Sequence, residues 1–255
     1  MKPILFYIGS FPVHAYSLVL LLGMASGFYV LRRDWKEAGF ESGSVCFFCA
    51  GAILCSLLGG RLGYIALHVS EYVAGQGHSS PLWQMHGVAA WGAIGALLVW
   101  TWVYARRLGV SNWELFDVLA PPAALAEAIV RCGCLLNGCC YGRAATGFPA
   151  MVLPDLDGRW MSRYPTQILY SAVALGLFVL LWTGRRRKLF AGFPTLMYVT
   201  FYAAGRLAVG PLRGDYTTAQ SRLVSLGLDL ALLGVGLGSI FWQVRQARQG
   251  REGTA

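Results

Sequence analysis

The sequence predicts an all-α integral membrane protein with seven transmembrane helices, and three observations support this class. Hydrophobic residues make up 56% of the 255 residues and charged residues only 13%, whereas soluble domains carry about 25% charged residues. Seven apolar segments approach the roughly 20 residues that a helix needs to cross the hydrocarbon core of a bilayer. The basic residues cluster between these segments, as they do in the cytoplasmic loops of membrane proteins.

The seven segments are interpreted as one polytopic membrane domain over residues 1–255. We expect the helices near residues 13–31, 45–67, 88–104, 115–137, 164–183, 193–210 and 223–242. The fourth segment is interrupted by Asp117, Pro121, Pro122, Glu127 and Arg131. Broken helices are tolerated in membranes where they line a polar cavity, and an intramembrane charge indicates function by default. The fourth segment is therefore the candidate site.

The distribution of basic residues predicts the orientation. Basic residues follow the first, third, fifth and seventh segments, whereas the loop of residues 68–87 carries no lysine or arginine. They are Arg32, Arg33, Lys36, Arg106, Arg107, Arg185, Arg186, Arg187, Lys188, Arg245, Arg248 and Arg251. Because such residues mark cytoplasmic loops, we expect the N-terminus outside and the C-terminus in the cytoplasm. This pattern explains the net charge of +9 without a nucleic-acid partner.

Three further arginines lie inside the apolar segments themselves. Arg61, Arg131 and Arg206 belong to the second, fourth and sixth segments, each about 20 to 24 Å above the predicted cytoplasmic start at a rise of 1.5 Å per residue. Planar guanidinium groups at one depth in the outer half of a bilayer suit the phosphate of an anionic headgroup. An alternative interpretation is that Glu127 and Arg131, four residues apart, form an ion pair that neutralises both charges. Such a pair would not explain why Arg61 and Arg206 lie at the same depth.

Four of the seven cysteines lie in one short segment, as Cys132, Cys134, Cys139 and Cys140. Zinc sites usually combine Cys-x2–4-Cys pairs, and this spacing differs, so a metal is the less favoured interpretation. A disulfide on the oxidising outer side is favoured, although its connectivity is open. A catalytic thiol, or a redox protein built on the cluster, remains as a minor alternative. The other cysteines, Cys46, Cys49 and Cys55, are interpreted as packing residues.

Residues 130–142, with the sequence Val-Arg-Cys-Gly-Cys-Leu-Leu-Asn-Gly-Cys-Cys-Tyr-Gly, resemble a family signature. The signature is Gly-Arg-x-Gly-Asn-Phe-x-Asn-x-Glu-x-x-Gly, which is found in bacterial prolipoprotein diacylglyceryl transferases. Four more segments resemble motifs of this family in the same order. They are Ala15–Ser17 with Gly23, Gly60–Tyr64, Arg163–Gln167, and Tyr202–Arg206 continuing to Arg213–Asp215. The resemblance implies seven helices with an outside N-terminus.

The chain also departs from the family pattern at chemically important positions. Cys134 stands where the signature has Asn, and Cys139 stands where it has Glu. Gly210 replaces an acid that usually follows the sixth-helix arginine. The third-helix His-Gly-Gly element corresponds to residues 90–93, which contain no histidine, and His86 is the candidate substitute.

The resemblance implies an enzyme that transfers a diacylglyceryl group from phosphatidylglycerol to the lipobox cysteine thiol of preprolipoproteins. A thioether forms and glycerol phosphate leaves. The implied partners are an anionic phospholipid and the signal peptide of a preprolipoprotein, with no cofactor and no metal. The implied location is the bacterial cytoplasmic (inner) membrane, with the active site facing the outer leaflet. The alternative is a divergent relative that binds or transports anionic phospholipid, or uses another acceptor, without this chemistry.

Candidate site residues follow from the polar positions together with the resemblance. The catalytic candidates are Arg131, Arg206, His86 and Glu127. The lipid-binding candidates are Tyr16, Arg61, Asn137, Gly142, Gln167 and Arg213. The two catalytic arginines suit the charge that develops on a departing phosphate. The acceptor thiol must become a thiolate, because the thiolate is the nucleophile.

Overall fold

The computed structural model describes residues 4–69, 89–185, 189–216 and 218–252, which are mainly helical. Seven α-helices lie in these ranges: α1 (Ala15–Glu37), α2 (Ser44–Leu67), α3 (Ala90–Leu108), α4 (Asn112–Asn137), α5 (Thr166–Gly184), α6 (Phe193–Val209) and α7 (Ala219–Glu252). Each coincides with one predicted apolar segment, and α7 continues beyond its predicted end. A short 3-10 helix, Gly210–Leu212, follows α6.

Five helices in the described part of the chain are long and apolar enough to cross a membrane, namely α1, α2, α4, α5 and the Ala219–Gln246 part of α7. Helix α6 has only 17 residues, which is at the short end for a span. The chain is thus a multi-pass helical protein, whereas seven crossings and the orientation remain predictions.

Two small β-hairpins were not predicted. The first pairs β1 (Ile4–Ile8) with β2 (Phe11–His14), and the second pairs β3 (Met151–Pro154) with β4 (Trp160–Arg163), both antiparallel. The second hairpin connects α4 with α5. In its loop the Asp155 carboxylate accepts the backbone N–H groups of Arg159 and Asp157, at 2.9 and 3.0 Å. These bonds and the nearby Arg163 lower the pKa of Asp155, so this turn holds a charged carboxylate.

The chain divides into two compact units, and each is described by itself. One unit consists of Met1–Leu31 with Asp117–Ala255, and the other is Arg32–Phe116. In the second unit, α2 and α3 approach closely through glycines. A Cβ atom added to Gly63 would lie 2.9 Å from the Cα of Gly92, and small residues of this kind permit close helix contact in membranes. Trp35 is fully buried beside Phe48.

The first unit is organised around α4. Helix α1 packs on it through glycines, because a Cβ atom added to Gly27 would lie 3.2 Å from the Cβ of Ala126. The buried Asp117 accepts the N–H of Gly192 at 2.9 Å and both the N–H and the hydroxyl of Thr195 at 3.1 and 2.7 Å. A carboxylate at a helix N-terminus complements the helix dipole. Asp117, one of the residues that interrupt the fourth predicted segment, therefore anchors the start of α6.

Candidate active site

The signature helix α4 presents Arg131 to three different groups. Its Nη2 donates to Glu127 Oε1 at 2.9 Å, and its Cζ lies 4.6 Å from the ring centre of Tyr170. Its Nη1 lies 3.9 Å from the Sγ of Cys140. The ion pair with Glu127 that the spacing suggested is therefore present, but it uses only one edge of the guanidinium group.

Arg206, on α6, is held by α7. Its Nε donates to Asp229 Oδ1 at 2.6 Å, and its Nη2 donates to Ser225 Oγ at 3.0 Å. Beside it lies a cavity of about 70 Å³, whose lining includes Arg206, Arg222 and Tyr216. Arg206 therefore combines a fixed ion pair with access to a small cavity that a second arginine also lines.

A third arginine lies in the segment that follows α6. Arg213 binds the Asp215 carboxylate with two hydrogen bonds, Nε to Oδ1 at 2.8 Å and Nη2 to Oδ2 at 2.7 Å. The hydrogen bonds and charge of Asp215 raise the pKa of Arg213, so it is a permanent cation. Arg131, Arg206 and Arg213 each form an ion pair in this unit, with Glu127, Asp229 and Asp215 respectively. We call these three residues the arginine cluster.

The end of α4 folds its cysteines back on themselves. Gly138 adopts a positive φ of 75°, and the N–H of Cys139 donates to the carbonyl of Cys134 at 3.1 Å, as in a Schellman helix end. A Cβ atom on Gly138 would lie 2.6 Å from the Asp155 carbonyl oxygen. Only glycine fits this turn without strain, and the turn sets the positions of the cysteines that follow.

As a result, the Sγ atoms of Cys134, Cys139 and Cys140 all lie within 4.8 Å of one another. We call these residues the three-thiol cluster. The predicted disulfide is not formed, since all seven cysteines lie in described segments and are free thiols. The tight helix end brings three sulfur atoms together instead of isolating a pair.

Helix α5 fixes the backbone of the cysteine segment. Thr166 Oγ1 donates to the Cys140 carbonyl at 2.7 Å, and Gln167 Nε2 donates to the Cys139 carbonyl at 3.0 Å. Gln167 is only 1% exposed. Sequence reasoning assigned Gln167 to lipid binding, which stays a prediction, and its amide nitrogen holds the backbone of the cysteine segment.

The segment after the cysteines is paired with the segment after α6. Gly142 forms a β-bridge with Arg213, and the N–H of Gly214 donates to the Tyr141 carbonyl at 2.9 Å. A Cβ atom on Gly142 would overlap the carbonyl oxygen of Tyr164. The requirement for glycine is therefore steric, and this pairing places Arg213 next to the cysteine segment.

The remaining predicted site residues do not all lie near the end of α4. The Tyr16 ring lies against α4, where a Cβ atom on Gly133 would be 3.2 Å from its Cδ2, and Asn137 contacts the Cys139 thiol. Arg61 belongs to the other unit, with its Cζ 5.9 Å from the ring centre of Tyr64. The predicted substitute histidine, His86, lies outside the described residues.

Sequence reasoning missed the aromatic surroundings of the arginines. Tyr170 lies under Arg131, and Tyr202 has its ring centre 5.8 Å from the Cζ of Arg206. Tyr170 follows Gln167 by one helical turn, so helical periodicity could have identified it.

Known proteins share this sequence across most of its length. A family sequence profile described as "Prolipoprotein diacylglyceryl transferase" matches residues 3–243. A Clostridium tetani protein named phosphatidylglycerol–prolipoprotein diacylglyceryl transferase is 30% identical over 258 residues, covering 98% of this chain and 100% of the relative. A Shouchella clausii protein of the same name is 28% identical, covering 92% and 89%.

A third relative is longer than this chain. Phosphatidylglycerol–prolipoprotein diacylglyceryl transferase 1 of Streptomyces coelicolor is 31% identical over 217 residues. The aligned region is 82% of this chain but 62% of the Streptomyces protein, so the chain covers less than two thirds of that relative. The resemblance of the five motifs is confirmed by the match over residues 3–243, and the chain belongs to the prolipoprotein diacylglyceryl transferase family.

Proposed function

We propose that this protein transfers a diacylglyceryl group from phosphatidylglycerol to the lipobox cysteine thiol of preprolipoproteins. It acts as a multi-pass protein of the bacterial cytoplasmic membrane, with its site facing the outer leaflet. Family membership supports the reaction class, and the relatives from Clostridium and Streptomyces carry this activity in their names. The observation that carries the proposal is the position of Arg131 on the signature helix, where its guanidinium group contacts Glu127, Tyr170 and Cys140.

The arginine cluster is suited to the leaving group. In the reaction, the acceptor sulfur bonds to the glyceryl carbon while the bond from that carbon to the phosphate oxygen breaks. The bonding electrons go to the departing glycerol phosphate, and the thiol proton is released. Fixed cations aimed at the departing oxygens lower the barrier. Arg206 lines a small cavity, Arg131 lies on the signature helix, and Arg213 is paired with the segment that follows the cysteines, so these three residues are proposed to hold the phosphate.

The uncharged polar residues are proposed to orient the lipid. Tyr16 and Asn137 offer a hydroxyl and an amide for the glycerol hydroxyls and ester carbonyls, near the cysteine segment. Glu127 orients Arg131 through their ion pair. Arg61 and His86 remain proposed for the headgroup and for proton transfer, respectively. Binding the lipid and the signal peptide in one site orients the two reactants, which lowers the entropic part of the activation barrier.

The test is a reconstituted transfer assay. Purified protein in proteoliposomes containing phosphatidylglycerol receives a lipobox peptide, and released glycerol phosphate is measured. We expect release with the cysteine peptide and none with a peptide in which serine replaces that cysteine. Saturable phosphatidylglycerol binding without any release would instead support the alternative of a lipid-binding relative and reject the transferase.

A further inference from the structure

The three-thiol cluster has the dimensions of a metal site. Its three Sγ atoms lie within 4.8 Å of one another. Thiolates bound to one ion at about 2.3 Å are separated by about 3.8 to 4.0 Å in tetrahedral or trigonal geometry. Side-chain adjustments of about 1 Å or less would therefore bring all three sulfur atoms onto a common ion. The usual paired cysteine spacing is not needed, because the turn at Gly138 substitutes for it.

We propose that Cys134, Cys139 and Cys140 bind one soft divalent metal ion such as Zn²⁺, and that its fourth position receives the acceptor thiol. The binding of the metal ion does not depend on the proposed transferase function. Only the coordination of the acceptor thiol rests on that function. Thiolates favour soft metals such as zinc. Three protein ligands with one open position are the arrangement of catalytic zinc sites, whereas structural sites have four protein ligands.

The backbone around the cluster is fixed before any ion arrives. Cys134 belongs to α4, and the N–H of Cys139 is bonded to its carbonyl. The carbonyls of Cys139 and Cys140 accept hydrogen bonds from Gln167 and Thr166, which are 1% and 0% exposed. Groups of this kind behind the ligands hold metal sites in shape.

The electrostatic surroundings also favour an anionic metal–thiolate complex. Three thiolates around a divalent ion carry a net charge of −1, and a fourth thiolate makes it −2. Arg131 Nη1 lies 3.9 Å from the Cys140 sulfur, and Arg213 is paired with Gly142, two residues after Cys140. These cations offset the charge that a buried anionic complex would otherwise leave uncompensated.

Such a metal site would activate the acceptor thiol, at positions where the chain lacks the Asn and Glu of the family signature. The signature Asn and Glu are replaced by Cys134 and Cys139. A thiol that coordinates a metal ion is deprotonated outright, so the lipobox S–H would release its proton to solvent on binding. The bound sulfur would then attack the glyceryl carbon, with the bonding electrons leaving on glycerol phosphate. The thioether product is neutral, binds the ion weakly and departs.

The first experiment measures metal binding by the reduced, full-length protein in detergent, with Co²⁺ as the probe. We expect one Co²⁺ per chain, thiolate-to-cobalt charge-transfer absorption, and displacement by Zn²⁺. The single variants C134S, C139S and C140S should each lose at least about tenfold in affinity. The matched control is C132S, because the Cys132 sulfur contacts the Ala128 carbonyl and Ser171 instead of the cluster. Absence of binding in the reduced protein, or equal loss in C132S, would overturn the site.

The second experiment adds peptide to the Co²⁺-loaded protein. A lipobox peptide should change the charge-transfer spectrum, and its cysteine-to-serine form should not; no difference between the two peptides would overturn the acceptor role. Glycerol phosphate release from metal-free C139S at the wild-type rate would likewise overturn it and leave the transferase function standing. Conversely, metal and peptide binding without release from wild-type protein would reject the transferase function while the metal site stands.

Discussion

At the residue scale, the proposed site centres on Arg131. Its guanidinium group contacts a carboxylate, an aromatic ring and a thiol at the same time. These contacts use the planar fork of arginine, which an ammonium group does not reproduce. Because one edge is committed to Glu127, the group is already oriented before a phosphate arrives. Orientation of this kind reduces the reorganisation that accompanies charge development in the transition state.

Substitution of Arg131 by lysine should therefore reduce the transfer rate by about 100-fold, the usual effect of losing one fixed donor to a developing charge. The measurement is glycerol phosphate release at saturating phosphatidylglycerol. The control is Arg143→Lys, because Arg143 is exposed, with its Cζ 5.7 Å from the ring centre of Tyr164. Equal rates for the two variants would show that Arg131 acts only as a structural partner of Glu127.

At the element scale, the site is built where the end of α4 meets the start of α5 and the segment after α6. The helix end at Gly138 reverses the chain, and Thr166 and Gln167 hold the reversed backbone through its carbonyls. The β-bridge between Gly142 and Arg213 adds the third segment. These contacts join polar backbone groups that would otherwise lack partners in an apolar setting. The site is thus fixed mainly by backbone hydrogen bonds.

Removing one of these bonds should impair the site more than the fold. In Thr166→Val, the Cys140 carbonyl loses its hydroxyl donor, and we expect about a tenfold loss of Co²⁺ affinity with a cost of about 1 kcal/mol in stability. The matched control is Thr183→Val at the other end of α5, where the hydroxyl bonds only to carbonyls of its own helix. Equal Co²⁺ affinity in both variants would contradict a positioning role for Thr166.

The pairing of the segment after the cysteines with the segment after α6 depends on Gly142. In Gly142→Ala, the added methyl group would overlap the Tyr164 carbonyl oxygen, so the backbone must move and the thermal unfolding temperature in detergent should fall. Gly176→Ala serves as the control, since a Cβ atom there meets nothing within 4 Å and alanine favours a helix by about 1 kcal/mol. An unchanged unfolding temperature in Gly142→Ala would show that this segment relaxes freely.

The anchor of α6 is the third element that can be tested. Asp117→Ala removes the acceptor of three hydrogen bonds at the start of α6, which should cost about 3 kcal/mol or more because buried donors lose their partner. The comparison is Glu37→Gln, whose partner Arg33 is exposed and whose pair contributes about 0 to 1 kcal/mol. Similar unfolding free energies for both variants would argue against the anchoring role.

At the scale of the whole molecule, charge and hydropathy determine how the chain is arranged. The basic connections that follow alternate helices predict a cytoplasmic C-terminus, whereas the arginine cluster is expected on the opposite side. A C-terminal green fluorescent protein fusion should therefore fluoresce, and a C-terminal alkaline phosphatase fusion should be inactive. The reverse result would invert the topology and place the site at the inner leaflet.

The helices could be predicted from the sequence because each one requires a continuous apolar segment. The hairpin containing Asp155 could not be predicted, since four-residue strands in a loop leave no periodic signal. Arg131 and Arg206 were identified because charges are rare in apolar segments. The three-thiol cluster was missed because it depends on a left-handed turn at Gly138, which no cysteine spacing reveals. The contact of Gln167 with the Cys139 carbonyl likewise depends on tertiary structure.

The packing of α1 on α4 has a consequence for biosynthesis. Gly27 on α1 meets Ala126 on α4, about 100 residues later in the chain, and ribosomes add roughly 5 to 20 residues per second. Helix α1 therefore resides in the bilayer for about 5 to 20 seconds before its glycine surface has a partner. During this interval the surface is available to other newly inserted helices. Insertion of the signature helix is thus expected to cover this surface of α1, and slow translation through residues 32–116 would lengthen its exposure.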